Sequence, residues 1–335
     1  MRCNFCEWRC DLSDGKYGLC RMYEAHEGEI RERFPNLWCT TSVSRIESLP
    51  FYHVYPGSRS MCIGTMSCNF KCRYCSNGYI AREAPEKVEE QTFAYLPEEM
   101  VGMARKLGCH NIVFNVNEPT VSLPSLLKLG EAAKGAGFPM GCLTNAYGTE
   151  ETTECLADLF SFFNISLKGF SEAFHREYIG IKSPDPIFRN IRRLAETCHV
   201  EITTPVIQDA NDHELGEIAA FLEDTDPQIP WHVFRLLPEH DMKQEVYPRI
   251  EKIVDILGSL RERLPYVYFH NFVGSDWVNT LCPQCGTEVI GRFSLGCGGD
   301  RLARFLCEGD RCRMCGQEIR LLGGWVPWCL EEVAE

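Results

Sequence analysis

The sequence predicts an α/β fold whose parallel sheet curls into a complete or partial TIM-type barrel, with cysteine-rich segments at both ends. Three observations carry this. From about residue 60 to 272, short runs rich in β-branched and aromatic residues alternate with amphipathic stretches, the pattern of repeated strand–helix units and so of a parallel sheet. Six or seven such units also fit an open doubly wound sheet. However, polar residues recur near the C-terminal ends of separate candidate strands: Asn117 and Glu118, Thr144 and Asn145, Lys168, Thr204 and Arg235. In a barrel those ends converge on one mouth, where catalytic groups gather. Finally, the cysteines cluster at residues 3–20, 68–75 and 282–315.

In chain order, the first element is "CNFCEWRCDLSDGKYGLC", in which Cys3, Cys6, Cys10 and Cys20 supply four thiols. That is enough for a closed tetrahedral zinc site or a fully ligated auxiliary [4Fe–4S] cluster. The irregular spacing differs from the facing Cys-x2-Cys turns of a zinc ribbon and favours the cluster. Strand candidates follow at 59–65, 111–116, 140–146, 162–169, 200–207, 231–238 and 266–272. Between them lie helix candidates at 97–108, 123–137, 149–160, 186–197, 212–225 and 247–264. Asn211 followed by Glu214 has the form of a capping box opening the fifth of these. At the other end, Cys282-Pro-Gln-Cys285-Gly and Cys312-Arg-Met-Cys315-Gly form two Cys-x2-Cys-Gly knuckles. The glycines permit tight turns that aim backbone amides at sulfur, so the pair reads as a zinc ribbon or a rubredoxin-like site holding zinc or a single iron. Cys297 and Cys307 lie in the loop between the knuckles, as added ligands, a redox pair or plain buried residues. The scattered Cys39, Cys62, Cys109, Cys142, Cys155, Cys198 and Cys329 are expected to be ordinary buried thiols. The implied divisions are an N-terminal cysteine-rich segment at 1–58, a barrel at 59–275 and a C-terminal metal-binding segment at 276–335.

Composition narrows the function classes. The chain has 335 residues, 44% of them hydrophobic, which is enough to bury a substantial core. A net charge of −13 argues against sequence-independent nucleic-acid binding, whose affinity comes from cations neutralising phosphates. The longest apolar runs fall short of a membrane span, and the N-terminus carries charge and cysteine where a signal peptide needs an apolar stretch. A soluble, cytoplasmic protein with no membrane partner is expected. In a reducing cytosol, clustered cysteines hold metal more often than they form disulfides.

The stretch "GTMSCNFKCRYCSNGYI" (64–80) places Cys68, Cys72 and Cys75 at spacings of three and two. Three thiolates can hold three irons of a [4Fe–4S] cluster and leave the fourth open to an exogenous ligand. A structural zinc site with a distant fourth ligand is the plainer alternative. Cys-x3-Cys-x2-Cys with Tyr74 before the last cysteine, at the end of a first strand, resembles the radical S-adenosylmethionine (SAM) superfamily. "VNEPT" (116–120), "LTNAYGTEE" (143–151), "NISLKGF" (164–170), "TTPVIQDAND" (203–212) and "IPWHVFRLLP" (229–238) follow in the order found in relatives of pyruvate formate-lyase activating enzyme. With the terminal cysteine motifs, the chain is similar to the AmmeMemoRadiSam group of that superfamily. It departs at Ser166, where relatives usually carry aspartate, and after Arg235, where Leu236, Leu237 and Pro238 replace an aromatic residue and His-Pro.

The resemblance implies a partial (β/α)6 TIM-type barrel of the radical SAM type. It also implies an enzyme in which Cys68, Cys72 and Cys75 hold the cluster while its open iron binds SAM. Reductive cleavage of SAM would yield a 5′-deoxyadenosyl radical that abstracts hydrogen from a substrate. Asn117, Glu118, Thr144, Asn145 and Lys168 are the implied SAM-side residues, and Lys168, His232 and Arg235 are candidates for contact with the SAM carboxylate or the substrate. The implied partners are a protein or peptide substrate, activated at a glycyl radical or otherwise modified, and an electron donor such as ferredoxin or flavodoxin. Competing readings are a radical enzyme acting on a small molecule or RNA, and a catalytically inactive zinc-ribbon interaction protein.

Overall fold

The structure is a computed structural model that describes residues 1–242 and 246–327. Cys329 lies outside the described residues. The centre of the molecule is an eight-stranded sheet whose spatial order follows the chain. An antiparallel edge strand β1 (Thr40–Arg45) pairs with β2 (Arg59–Gly64). Helix α1 (Pro97–Lys106) leads to β3 (Asn111–Phe114), α2 (Leu123–Gly135) to β4 (Met140–Thr144), and α3 (Glu150–Leu159) to β5 (Phe162–Ser166). After these come α4 (Asp185–Thr197), β6 (His199–Val206), α5 (Leu215–Thr225), β7 (Trp231–Arg235), α6 (Ile250–Leu260) and β8 (Val267–His270). Strands β2 to β8 are parallel. Among the described residues β1 and β8 are the two edges and do not pair with each other, so the barrel is open.

Six of the seven parallel strands fall inside the predicted runs and β6 begins one residue early, and the reason for the match is burial. β2, β3 and β8 are buried at every position, as expected when helices cover a parallel sheet. β1 was not foreseen, because "TTSVSR" is a half-exposed polar edge without an apolar signature. The helices begin on recognisable chemistry. In α1, Pro97 occupies the first turn and the Glu99 carboxylate accepts from the Leu96 N–H at 2.8 Å. Thr149 caps α3 by accepting from the Thr152 N–H at 3.2 Å, with Glu150 and Glu151 in the first turn. In α4 the buried stripe is Ile187, Asn190, Ile191 and Leu194, a helical period. Cys155 is exposed on the outer face of α3 beside inward-facing Leu156, which corrects its expected burial.

The expected capping box is absent. Asn211 Oδ1 instead accepts from the Ile207 N–H at 2.7 Å, and its Nδ2 donates to the carbonyls of Lys168 and Pro205, each at 2.8 Å. Glu214 accepts from the Phe170 N–H at 2.6 Å and from the Ser171 hydroxyl. Both side chains thus tie the ends of β5 and β6 together, a tertiary use that overrides the local motif.

The C-terminal segment packs beneath the barrel. A three-stranded antiparallel sheet (Thr280–Leu281, Glu288–Ser294, Asp300–Phe305) shares one buried cluster with Tyr52, Tyr266 and Tyr268. Among the described residues no helix is long and apolar enough to cross a membrane.

Gly64 closes β2 where the chain turns into the cysteine loop. A Cβ there would lie 2.2 Å from Val116 Cγ2 and 2.7 Å from the Asn115 carbonyl oxygen. Val116 itself sits at φ +69°, a left-handed conformation that costs a β-branched residue energy and persists only when its surroundings impose it. We expect Gly64→Ala to cost about 1–3 kcal/mol in denaturant unfolding, through overpacking against backbone that cannot yield.

Candidate active site

The loop after β2 carries Cys68, Cys72 and Cys75, and Asn117 braces its start. Asn117 Nδ2 donates to Thr65 Oγ1 at 2.9 Å and to the carbonyls of Met66 and Ser67 at 3.0 and 2.9 Å. Its Oδ1 accepts from the Thr65 N–H at 3.1 Å. Asn117 therefore braces the loop, with its amide group fully engaged.

Glu118, next in sequence, is buried at the end of β3. Its carboxylate accepts from the Thr144 hydroxyl at 3.0 Å, the Asn145 N–H at 2.8 Å and the Thr120 N–H at 3.4 Å. Burial pushes its pKa up to about 7 against these donors. Among the described residues no ion pair involves Glu118, so the pocket offers a desolvated carboxylate to an incoming cation. Asn145 connects this group to the cysteines: its Nδ2 donates to Asn69 Oδ1 at 2.7 Å and lies 3.8 Å from Cys68 Sγ.

Lys168, just past β5, reaches the same mouth. Its Nζ lies 6.0 Å from the centre of the Tyr74 ring. Burial pushes the Cys72 thiol up to about 11, and the Lys168 ammonium acts in the opposite direction. Burial likewise raises Cys68 and Cys75, the latter opposed by Lys168 and Arg82. The Phe70 N–H points at Cys68 Sγ from 3.4 Å. Among the described residues the buried Tyr74 hydroxyl has no hydrogen-bond partner, and it lies beside Cys72 and Cys75. Against that burial, an amide aimed at sulfur, two nearby cations and a hydroxyl with no partner among the described residues suit a bound anionic cluster.

Arg235, at the end of β7, donates from Nε to the Pro248 carbonyl at 2.9 Å, with its guanidinium 5.2 Å from the Tyr247 ring centre. It is thus held on the loop that follows its strand. His232 is a correction. It lies in the N-terminal half of β7, fully buried, with Nε2 2.6 Å from Glu201 Oε2 and Nδ1 3.3 Å from His270 Nε2. Burial opposes ionisation of Glu201, yet His199 and His232 hold its carboxyl well below the usual range, and the Tyr52 and His53 amides also donate to it. His270 in turn lies 2.7 Å from Asp300 Oδ2. His232 therefore belongs to a buried network that docks the C-terminal segment, below the end of β7 rather than at it.

Sequence reasoning passed over Asn69 and Arg82. Asn69 stands inside the Cys-x3-Cys spacing, and an amide between two ligand cysteines was the available signal. Arg82 Nη1 donates to the Cys72 carbonyl at 3.3 Å and pairs with Asp241 at 2.5 Å.

The C-terminal knuckles converge. Among the described residues, Cys282, Cys285, Cys312 and Cys315 form a group whose ligand atoms all lie within 4.8 Å of one another. Cys282 and Cys315 Sγ are 3.5 Å apart, and Cys285 and Cys312 Sγ 3.7 Å. A tetrahedral ion with bonds of about 2.3 Å to sulfur needs spacings of this order. Cys307 is buried beside Cys312, its partner across a two-residue strand pair, and Cys297 is exposed.

The Radical SAM superfamily model matches residues 63–222. An uncharacterised protein of Methanocaldococcus jannaschii is 26% identical over 335 residues, covering 96% of each chain. A second M. jannaschii protein, assigned provisionally as a glycyl-radical enzyme activating enzyme, is 25% identical over 180 residues, 51% of this chain and 72% of that one. The crystal structure of Streptococcus suis SuiB bound to precursor peptide SuiA aligns with TM-score 0.49 and 16% identity. That alignment covers 65% of this chain but only 48% of SuiB, about half its length.

Proposed function

The chain is a member of the radical SAM superfamily, and from that premise we propose that it reductively cleaves SAM and uses the product to modify a protein or peptide. The superfamily domain implies a [4Fe–4S] cluster and SAM. Cys68, Cys72 and Cys75 would hold the cluster, which when bound supplies the electron that breaks the SAM sulfonium bond. Asn117 fixes the loop that presents the three thiols. Glu118, positioned by Thr144 and the Asn145 amide, receives the SAM ammonium. Lys168 contributes positive charge at the mouth, and the packed strands exclude water.

One observation supports this reading most: Asn145 bridges the buried Glu118 carboxylate and Cys68, as an ammonium site beside a thiol-ligand site requires. A protein target is supported by similarity to the protein assigned as a glycyl-radical enzyme activating enzyme, which covers half of this chain. The test is anaerobic reconstitution, reduction and incubation with SAM and candidate proteins. We expect 5′-deoxyadenosine, with hydrogen from a deuterated target peptide appearing in it. If it forms only with small molecules or RNA, the target assignment fails.

Glu118 gives the site a pH signature. Its carboxyl is protonated below about 7 in the empty pocket, and an ammonium favours the ionised form. SAM binding should therefore release close to one proton at pH 6 and almost none at pH 8, with affinity rising as pH increases through 7. Calorimetry in buffers of different ionisation enthalpy measures this directly. Glu118→Gln should abolish the proton release and weaken SAM binding by roughly 10- to 100-fold, the value of a hydrogen bond to a charged group. Equal proton release from the variant would place the titrating group elsewhere.

A further inference from the structure

We propose that Cys3, Cys6, Cys10 and Cys20 hold a second iron–sulfur cluster, packed against the first site through Asn69, and that electrons from a reduced ferredoxin- or flavodoxin-type carrier enter there. The proposal rests on the reading of Cys68, Cys72 and Cys75 given above.

The irregularly spaced N-terminal cysteines converge in space. All four line a single cavity, whose remaining wall includes Phe5, Trp8, Tyr23, Asn69 and Thr120. A backbone amide points at one of the sulfurs: the Leu19 N–H lies 3.4 Å from Cys10 Sγ. The Phe70 amide at Cys68 repeats the arrangement. Such donors stabilise thiolates and tune cluster potential. Gly18 passes within 3.3 Å of Cys10 Cβ and Sγ, measured from where its own Cβ would be, so a side chain there would crowd the ligand.

Size separates cluster from single ion. At the C-terminus, sulfurs 3.5 and 3.7 Å apart suit one tetrahedral metal. The N-terminal four surround a cavity instead, and among the described residues the close-packed group is the C-terminal one. A four-iron cube holds its ligand sulfurs farther apart than a single ion does, so four thiols that line one cavity without closing to single-ion spacing suit the cube.

Asn69 then acquires a role. It lines the same cavity as the four cysteines, and its carbonyl accepts from Trp8 Nε1 at 2.8 Å. Its Oδ1 accepts from Asn145, the residue that contacts Cys68. Ser67 adds a bond from its hydroxyl to the Cys20 carbonyl at 2.7 Å. One residue therefore separates the two ligand sets, while Cys6, Cys10 and Cys20 remain half-buried toward solvent. With both clusters bound, one electron from the carrier would pass from the site of Cys3, Cys6, Cys10 and Cys20 to that of Cys68, Cys72 and Cys75 and reduce the SAM sulfonium. The C5′–S bond breaks to methionine and a 5′-deoxyadenosyl radical, and no proton is taken up.

The test compares the anaerobically reconstituted full chain with its Cys6→Ser/Cys20→Ser variant. Iron and sulfide should fall by about four each per chain, while the SAM-induced change in the electron paramagnetic resonance of the first cluster persists. With dithionite, 5′-deoxyadenosine formation should stay within about two-fold of wild type, and with reduced flavodoxin it should fall at least about ten-fold. Unchanged iron, zinc at the N-terminal site, or equal losses with both reductants would overturn the proposal. Should the variant not fold, spin counting on the wild type decides, since one cluster per chain instead of two also overturns it. No 5′-deoxyadenosine from wild type with either reductant would sink the first-cluster reading and the entry role together, distinguishable by an iron count still at two clusters.

Discussion

Replacing Cys72 with alanine is expected to abolish 5′-deoxyadenosine formation and to leave the fold intact. The two halves of that result have separate physical origins. Cys72 is one of three thiols in a loop whose start is braced by Asn117, so its removal leaves the loop's backbone hydrogen bonds in place. What disappears is one corner of the cluster site. A cluster held by two thiolates is labile, and iron at this site should fall by as much as about four per chain. The thermal transition should move little, because Cys72 is only partly buried and a thiol-to-methyl exchange there opens a small void. Iron analysis, SAM-induced spectral change and circular dichroism on the same sample check all three. Retained cleavage activity would show that another residue completes the site. A collapsed fold would show that the cluster is structural.

The sheet was legible in the sequence because its physics is local: strands buried on both faces are continuous apolar runs, as in "NIVF" at Asn111–Phe114. The three-cysteine loop and the C-terminal knuckles were legible because metal ligation fixes covalent spacing. The rest depends on contacts across the fold. Sequence places His232 and Arg235 on one strand three residues apart, but whether a side chain stands at the mouth or among buried partners depends on its depth along the strand. His232 lies near the beginning and Arg235 at the end. Asn211 and Glu214 match a local cap and serve instead as tertiary braces. Cys3, Cys6, Cys10 and Cys20 line one cavity, as their grouping suggested, but their uneven spacing left zinc and a cluster both open.

Removing the metal from Cys282, Cys285, Cys312 and Cys315 should destabilise far more than those four residues. Cys282 and Cys312 are core members of the cluster that contains Tyr52, Tyr266 and Tyr268, so the knuckles and the underside of the barrel share one apolar interior. Polar contacts tie the same elements together. Arg292 donates to the Tyr52 carbonyl at 2.6 Å and stacks 4.1 Å from the Tyr52 ring centre. The Tyr52 hydroxyl donates to Asp300 at 2.6 Å, and Asp300 also meets His270 at the end of β8. If the knuckles open, Asp300 and Arg292 are withdrawn from buried partners, and unsatisfied buried charge is among the costliest defects a fold can carry. Structural zinc contributes about 10–16 kcal/mol in small metallo-domains. Even a fraction of that should lower the melting temperature by roughly 10 °C or more after chelation or in Cys285→Ser/Cys315→Ser. Limited proteolysis should then cut first within 282–315. The Asn117–Thr65 brace shares none of these contacts, so the cysteine loop should keep its iron until the barrel melts. Simultaneous loss of iron from Cys68, Cys72 and Cys75 at low temperature would show instead that the C-terminal metal supports the active site directly.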